Sequence, residues 1–278
     1  MEGLIIKSLS GVYDCYVSGK IYKCKPLGVF RHKGIVPKVG DICEIEDNTI
    51  IKIKNRKNDF IRPYIANIDK AFIVTSVIEP DLNLNLLDRL IANNEYNNIQ
   101  SVLLFTKLDL VNKDDYKNIF EYYKKIGYKV FLLPFEKDEV IKELDNNVCA
   151  LEGQSGVGKS TFINLISDLN LKTNAISMAL GRGKHTTRYT ELIRINNGWL
   201  ADTPGFGILE LEMDDLSLSQ SFVEFFKEKC RFSKCLHLNE PGCAVKEKVN
   251  NGEILKSRYD NYKAFNEELH KKEKEKKK

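Results

Sequence analysis

The chain has 278 residues, of which 42% are hydrophobic and 29% are charged, and its mean hydropathy is -0.33. This composition is typical of a globular protein with a sizeable core and excludes a fibrous or broadly disordered chain. No stretch approaches the roughly 18 consecutive apolar residues of a membrane helix, and the apolar run at residues 4–6 is too short for a signal peptide. We therefore expect a cytoplasmic protein with no membrane segment.

The charged residues are unevenly distributed around a net charge of +4. Residues 1–64 carry 12 Lys and Arg against 7 Asp and Glu, residues 65–210 carry 16 against 19, and residues 211–278 carry 15 against 13. Basic ends around an acidic centre suit a protein that docks on nucleic-acid phosphates, although an ordinary solvated surface gives the same pattern. The seven cysteines are odd in number and unevenly spaced, which indicates reduced thiols or metal ligands rather than disulfides.

Short β-rich runs separated by turns occupy residues 1–64, and this spacing predicts a small OB-like β-barrel. We predict strands at residues 4–7, 11–17, 20–24, 28–31, 41–45 and 49–53. OB barrels bind oligonucleotides, and basic side chains lie in or beside these strands: Arg31, His32, Lys33, Lys52, Lys54, Arg56 and Lys57. We therefore expect an RNA-binding barrel, with a solvated charged face as the alternative.

Residues 65–210 alternate apolar runs with amphipathic stretches, which predicts an α/β domain with a doubly wound parallel sheet. Residues 211–270 are helical and polar and contain a Cys/His cluster, so we predict a separate helical module there. Residues 271–278 comprise six lysines and two glutamates. This run has too little apolar content to fold, and we predict a disordered lysine-rich tail.

A phosphate-binding pattern, G-x-x-x-x-G-K-[ST], covers residues 153–160 between a predicted strand and a predicted helix. Its glycines allow backbone N–H groups and the positive end of the helix to face phosphate oxygens. Lys159 is expected to reach the β- and γ-phosphates, and the Ser160 hydroxyl to ligate Mg²⁺. The predicted phosphate-binding residues are Gly153, Gln154, Ser155, Gly156, Val157, Gly158, Lys159, Ser160, Thr161 and, further along the chain, Gly205.

The sequence Asp-Thr-Pro-Gly at residues 202–205 follows a short apolar run that is predicted to be a strand. In P-loop enzymes an acidic residue at the end of such a strand provides a second contact to Mg²⁺, and a nearby glycine N–H can sense the γ-phosphate. We assign these roles to Asp202 and Gly205. The alternative is an ordinary Asp-x-Pro-Gly turn.

A predicted base-reading motif follows the predicted strand at residues 101–105 and comprises Thr106, Lys107, Leu108 and Asp109. It resembles the guanine-reading Asn-Lys-x-Asp motif of GTPases, with threonine in the first place. The Asp109 carboxylate can accept two hydrogen bonds, from the N1–H and the N2 amine of guanine. Adenine lacks this pair of donors, so the motif favours GTP over the alternative of a P-loop ATPase or kinase.

The order of these motifs is unusual, because the base reader begins at Thr106 and precedes the P-loop glycine Gly153. Ordinary small GTPases have the two in the opposite order. The sequence therefore predicts a circular permutation. A sheet tolerates this rearrangement when the original termini lie close together, because each strand still presents its loop at the same edge.

Cys230, Cys235, His237 and Cys243 lie close together in the spacing Cys-x4-Cys-x-His-x5-Cys. Three thiolates and one imidazole complete the tetrahedral shell of a structural zinc site and leave no open position for catalysis. We predict one Zn²⁺ per chain, with unpaired core cysteines as the alternative. That core interpretation fits the remaining cysteines better: Cys15, Cys24, Cys43 and Cys149.

Together, these motifs resemble the bacterial RsgA (YjeQ) family, GTPases that depend on the small ribosomal subunit. The likeness also rests on Gly-Lys-His-Thr-Thr at residues 183–187, Asp-Thr-Pro-Gly-Phe at residues 202–206 and the segment at residues 62–69. The resemblance implies a monomer that binds GTP or GDP and the small subunit with its rRNA, and assists late subunit maturation. It also implies that Thr187 contacts Mg²⁺ from a switch loop. The family's base-supporting Ser-Ala motif falls here on Leu133 and Pro134.

The residue after Gly205 is Phe206, at the place where small GTPases carry the glutamine that orients the attacking water. A phenyl ring cannot orient water, so we expect slow intrinsic turnover. We predict that His185 positions the water when neutral, with Lys159 and Thr187 as the other catalytic residues. A solvent-exposed or RNA-contacting His185 is the alternative. At the level of the whole protein, the alternative is a GTP-gated RNA-binding module with only slow, resetting hydrolysis.

Overall fold

The computed structural model describes residues 1–60, 64–167, 191–201 and 210–276. The chain divides into two compact units. One comprises residues 1–72, 136–152 and 159–205, and the other comprises residues 73–135, 153–158 and 206–278. Across the described ranges, no helix combines the length and apolarity needed to cross a membrane.

Five strands at the amino terminus form a closed barrel in the order β1 (Glu2–Leu9), β2 (Val12–Val17), β3 (Lys20–Pro26), β5 (Thr49–Ile53) and β4 (Ile42–Glu46). Neighbouring strands are antiparallel except β3 and β5, which are parallel. Because side chains alternate along a strand, every second residue faces the interior. The buried core contains Ile5, Tyr13, Cys15, Cys24, Phe30, Cys43, Ile45 and Ile50. The predicted barrel is confirmed, and its cysteines are free core residues.

One predicted strand of the barrel is wrong. Residues 28–31 do not join the sheet, and instead a single helical turn, α1 (Val29–His32), occupies this segment. Its bonds are local: the Phe30 N–H donates to the Leu27 carbonyl and the Lys33 N–H to the Val29 carbonyl. The turn buries the Phe30 ring and leaves Val29 exposed. Burial of that ring in the barrel core therefore outweighs the local β-propensity of the run.

The remaining described strands form one mixed sheet in the order β10 (Leu192–Ile195), β11 (Gly198–Ala201), β9 (Val148–Glu152), β6 (Lys70–Ser76), β7 (Gln100–Thr106) and β8 (Lys129–Leu132). β7 pairs with β8 in parallel, as β9 does with β11, whereas β10 is antiparallel to β11. β6 and β7 are almost entirely buried, as expected for strands of a parallel sheet with covered faces.

Helices α2 (Leu84–Tyr96) and α3 (Lys117–Ile126) pack with strands of this sheet around one apolar core. The Asn83 side chain caps α2 by accepting from the Leu86 N–H at 2.9 Å. Gly127 ends α3 in the left-handed conformation that favours glycine. Two further helices are α4 (Lys137–Leu144) and α5 (Lys159–Ser167), and α5 begins directly after the P-loop.

The carboxyl-terminal module contains α6 (Asp215–Gln220), α7 (Val223–Phe226), α8 (Ala244–Asn250) and α9 (Lys256–Lys276). Arg258 of α9 is fully buried and bonds to Asp88 of α2 at 2.7 Å, and it also pairs with Glu224 of α7. The helix α9 continues to Lys276, whereas the sequence predicts disorder from residue 271. Lysine and glutamate are good helix formers, so this polar run extends a helix that has already begun.

Candidate nucleotide site and metal centre

The P-loop leaves β9 at Glu152 and enters α5 at Lys159. Its three glycines, Gly153, Gly156 and Gly158, have φ values of +138°, +83° and +99°. L-residues rarely adopt these conformations, so the glycine positions of the sequence pattern match the turns that the backbone makes. Ser155, Gly156, Ser160 and Thr161 are exposed, and Lys159 is half-buried. The loop is thus exposed at its middle, and α5 is exposed at its amino-terminal end.

Gly153 is also required by close packing. A Cβ at this position would lie 2.3 Å from the Val74 carbonyl oxygen of β6, well inside van der Waals contact. The backbone of the P-loop therefore approaches the neighbouring strand more closely than any other residue type permits.

Thr106, the first residue of the predicted base reader, connects that motif to the P-loop. Its side chain is buried, and its hydroxyl donates to the Val157 carbonyl at 2.6 Å. A Cβ on Gly158 would lie 3.7 Å from the same hydroxyl oxygen. Thr106 therefore holds the P-loop rather than presenting its hydroxyl to solvent. The sequence places both motifs at strand ends, but it does not reveal this contact.

The other residues of the base reader have distinct environments. Lys107 has φ +63° and its ammonium donates to the Glu79 carbonyl. Leu108 is buried in the core formed with α2 and α3. Asp109 is exposed and has no hydrogen-bond or ion-pair partner among the described residues. Asp109 is thus the member of the motif whose polar atoms are available to a ligand.

The loop after β8 lies beside this motif, because β7 and β8 are parallel and Phe105 is in register with Leu132. The Leu133 N–H donates to the Phe105 carbonyl at 2.8 Å, which extends the strand pairing by one residue. Pro134 has no N–H. Neither residue at the position of the Ser-Ala motif therefore has a backbone donor to offer a base.

Several predicted site residues lie outside the described residues. β11 ends at Ala201, in register with Ala150 of β9, the strand that leads to the P-loop. Asp202 itself lies outside the described ranges, as do Gly205, His185 and Thr187. Their predicted roles stay predictions.

The four predicted metal ligands meet in the carboxyl-terminal module. The ligand atoms of Cys230, Cys235, His237 and Cys243 all lie within 4.8 Å of one another. The His237 Nδ1 is 3.5 Å from the Cys230 Sγ and 3.4 Å from the Cys243 Sγ, and the two sulfur atoms are 3.9 Å apart. Bonds of about 2.3 Å to sulfur and 2.0 Å to nitrogen place tetrahedral ligands about 3.5 to 3.8 Å apart. The spacing therefore fits a zinc ion.

The protonation chemistry of this cluster also suits a cation. Burial lowers the pKa of His237, which favours the neutral imidazole that a metal requires. Burial raises the pKa of Cys235 to about 12 and also raises that of Cys243. Thiolates at these positions therefore need a compensating positive charge, which a bound Zn²⁺ would supply.

Neighbouring residues that the sequence analysis does not identify hold the backbone of the cluster. The Glu240 carboxylate accepts from the Leu236 N–H at 2.7 Å and the Leu238 N–H at 2.9 Å. The Tyr259 hydroxyl donates to the His237 carbonyl at 2.7 Å. His237 has φ +60°, so these bonds support a strained turn that aims its ring at the cysteines. The position of Glu240 between His237 and Cys243 is a sequence signal that could have identified it as a supporting residue. Tyr259 lies outside the Cys/His spacing, so the sequence gives no such signal for it.

The fold and site together define a circularly permuted P-loop GTPase, in which the base-reading strand precedes the P-loop strand. Two family models match the chain: RsgA GTPase over residues 52–212 and RsgA N-terminal domain over residues 2–50. This chain therefore belongs to the RsgA GTPase family, and the predicted family and GTPase class are confirmed.

Full-length relatives support this membership. The small ribosomal subunit biogenesis GTPase RsgA 2 of Oceanobacillus iheyensis is 47% identical over 284 residues, covering 96% of this chain and 97% of that protein. The corresponding protein of a Geobacillus species is 43% identical over 286 residues, with the same coverage. The crystal structure of YloQ, a circularly permuted GTPase, has a TM-score of 0.82 at 34% identity, covering 98% of this chain and 95% of that chain. YjeQ from Thermotoga maritima has a TM-score of 0.83 at 30% identity, covering 96% and 98%.

Proposed function

We propose that this protein hydrolyses GTP to GDP and phosphate on the small ribosomal subunit and assists the late maturation of that subunit. The observation that carries the proposal is the hydrogen bond from Thr106 to the Val157 carbonyl. It joins the base-reading motif to the phosphate-binding loop, so one nucleotide can be held at both ends. The relatives from Oceanobacillus and Geobacillus are described as GTPases of small-subunit biogenesis, which supports the choice of partner.

Nucleotide binding in this proposal uses the residues that the motifs predict. The Asp109 carboxylate accepts hydrogen bonds from guanine, and the P-loop N–H groups and Lys159 bind the phosphates. Ser160, Asp202 and Thr187 would hold Mg²⁺, which would supply positive charge to offset the negative charge of the phosphates. Gly205 senses the γ-phosphate through its N–H. These assignments extend the P-loop pattern to the residues of this chain.

Hydrolysis is proposed to depend on the ribosomal partner. Phe206 replaces the glutamine that orients water in small GTPases, so the free protein turns over slowly. We assign the positioning of the water to His185. The change His185→Ala is then expected to abolish most subunit-stimulated turnover and to leave GTP affinity close to normal.

The other modules are proposed to dock the GTPase on the subunit. The OB-like barrel binds rRNA through its basic residues, and one Zn²⁺ held by the Cys/His cluster stabilises the carboxyl-terminal module without a catalytic role. We propose that the protein acts as a monomer in the cytoplasm. Sedimentation of the free protein and of its complex with small subunits tests this stoichiometry.

The deciding experiment measures GTP turnover with purified small subunits, large subunits and free RNA in parallel. We expect small subunits to stimulate GTP turnover strongly, and large subunits and free RNA not to do so. A GTP-gated RNA-binding module would bind small subunits but show the same single-turnover rate with and without them. Displacement of a bound fluorescent GDP analogue by GTP or by ATP separates both of these functions from that of a P-loop ATPase or kinase, which would bind ATP.

A further inference from the structure

An exposed aromatic side chain lies at the sheet edge that carries the base reader. Phe135 follows Leu133 and Pro134 in the loop after β8, and its side chain is 53% exposed. Exposure of a phenylalanine costs free energy, because apolar surface stays in water. A phenyl ring at the edge of a ligand site can recover that free energy when a flat, apolar surface covers it.

Contacts within this edge hold the ring beside the base reader. The Lys113 ammonium lies 3.2 Å from the centre of the Phe135 ring, in a cation–π contact. Lys113 begins the short helix that follows Asp109 by four residues, and the Asn112 side chain caps that helix. The loop that begins at Lys107 therefore folds back onto Phe135. The Lys113 contact takes up one face of the ring, and about half of the Phe135 surface stays exposed.

The backbone chemistry of this loop also points to Phe135. The Leu133 N–H is used in the strand pairing, and Pro134 has none. The first backbone donor beyond the sheet is therefore the N–H of Phe135.

We propose that Phe135 is a binding residue for the nucleotide, and that its ring stacks on the guanine held by Asp109. This inference rests on the proposed GTP binding and adds a residue that the motif pattern does not contain. Stacking depends on the flat face of a base and not on its hydrogen-bonding edge. Phe135 therefore sets the affinity for nucleotides, while Asp109 sets the choice among bases.

The test measures the affinity of full-length protein for GDP and for xanthosine diphosphate, by competition with a fluorescent GDP analogue. We expect Phe135→Ala to weaken both affinities by the same factor of about tenfold. Phe135→Tyr keeps the ring and is expected to stay within about twofold of the parent. The matched control is Phe232→Ala, which removes another exposed phenylalanine with a basic partner, Arg231, and is expected to leave both affinities unchanged.

The change Asp109→Asn separates this inference from the proposed function. It is expected to shift the ratio of the two affinities toward xanthosine diphosphate, because an amide can donate to the xanthine carbonyl. An unchanged ratio in Asp109→Asn contradicts the guanine-reading role itself. A changed ratio in Asp109→Asn together with parent-like affinities in Phe135→Ala overturns only the stacking role.

A direct optical readout covers the case in which Phe135→Ala perturbs the loop. In Phe135→Trp, a tryptophan ring at this position is expected to change its fluorescence when GDP is added, beyond the change of Trp199 in the parent. If the fluorescence of Phe135→Trp changes no more than that of the parent, the proposal is overturned. Equal loss of affinity in Phe135→Tyr and Phe135→Ala also overturns it, because the ring would then contribute nothing.

Discussion

The P-loop and the Cys/His cluster use different parts of the chain to present their polar atoms. The P-loop is predicted to offer backbone N–H groups, and its shape depends on glycines with positive φ. The cluster offers three sulfur atoms and one imidazole nitrogen from Cys230, Cys235, His237 and Cys243. A backbone site is therefore disrupted by adding a carbon atom, whereas a side-chain site is disrupted by removing a sulfur atom.

The two regions also differ in what supports them. The P-loop is held against neighbouring strands by contacts at Val74 and Thr106, so its conformation is built into the folded sheet. The cluster brings together buried thiols whose ionisation needs a cation. The comparison indicates that protein contacts support the P-loop conformation, whereas we expect the cluster to depend on a bound metal for its stability.

The largest expected effect is the loss of metal from Cys235→Ser. Removal of one thiolate from a four-ligand site is expected to reduce zinc from one to near zero per chain and to destabilise the carboxyl-terminal module by about 3 kcal/mol or more. The measurements are metal analysis of protein purified without chelators and thermal unfolding.

The control for this prediction is Cys24→Ser, which changes a buried cysteine of the barrel. It is expected to retain one zinc per chain. Both variants should bind GDP when folded, because neither side chain belongs to the P-loop. Equal zinc content in Cys235→Ser and the parent would remove Cys235 from the ligand set.

A smaller effect is expected for Gly153→Ala in the P-loop. The methyl group would meet the Val74 carbonyl oxygen at 2.3 Å on a backbone with φ +138°. We expect a loss of stability on the order of 3 kcal/mol and loss of GDP binding. Chemical denaturation and GDP titration measure the two effects.

Gly127→Ala is the matched control, because Gly127 has φ +115° and no atom within 4 Å of an added Cβ. The Gly127→Ala variant has the backbone strain without the steric clash. We therefore expect its free energy of unfolding to fall by roughly 1 kcal/mol and its GDP affinity to stay unchanged. If the two variants lose equal stability, close packing against β6 does not explain the requirement for Gly153.

The smallest expected effect is that of Thr106→Val, which replaces the hydroxyl by a methyl group of similar size. It removes the donor to the Val157 carbonyl and is expected to cost about 1 kcal/mol of stability and a few-fold in GDP affinity. Thr106→Ser keeps the donor and should restore most of both. Unfolding and GDP titration of the pair measure these changes, and identical behaviour of Val and Ser variants would mean that the hydrogen bond does not position the P-loop.

The sequence by itself determined the features that depend on residue type at a fixed local spacing. The P-loop glycines, the Cys/His cluster and the order of the motifs are of this kind, because each needs particular residues within a short segment. The barrel and the α/β sheet followed from strand spacing and alternation. Local propensity was insufficient at residues 28–31, where burial of Phe30 decided the conformation, and at residues 271–276, where an existing helix continued.

Only the tertiary structure decided which residues meet across elements. Thr106 bonds to Val157, Arg258 bonds to Asp88 170 positions away, and Lys113 covers the Phe135 ring. No local pattern specifies these pairs, because their partners come from different strands, helices and loops. Burial of the apolar faces sets the positions of these elements. The polar groups that this packing brings together then form the hydrogen bonds and ion pairs.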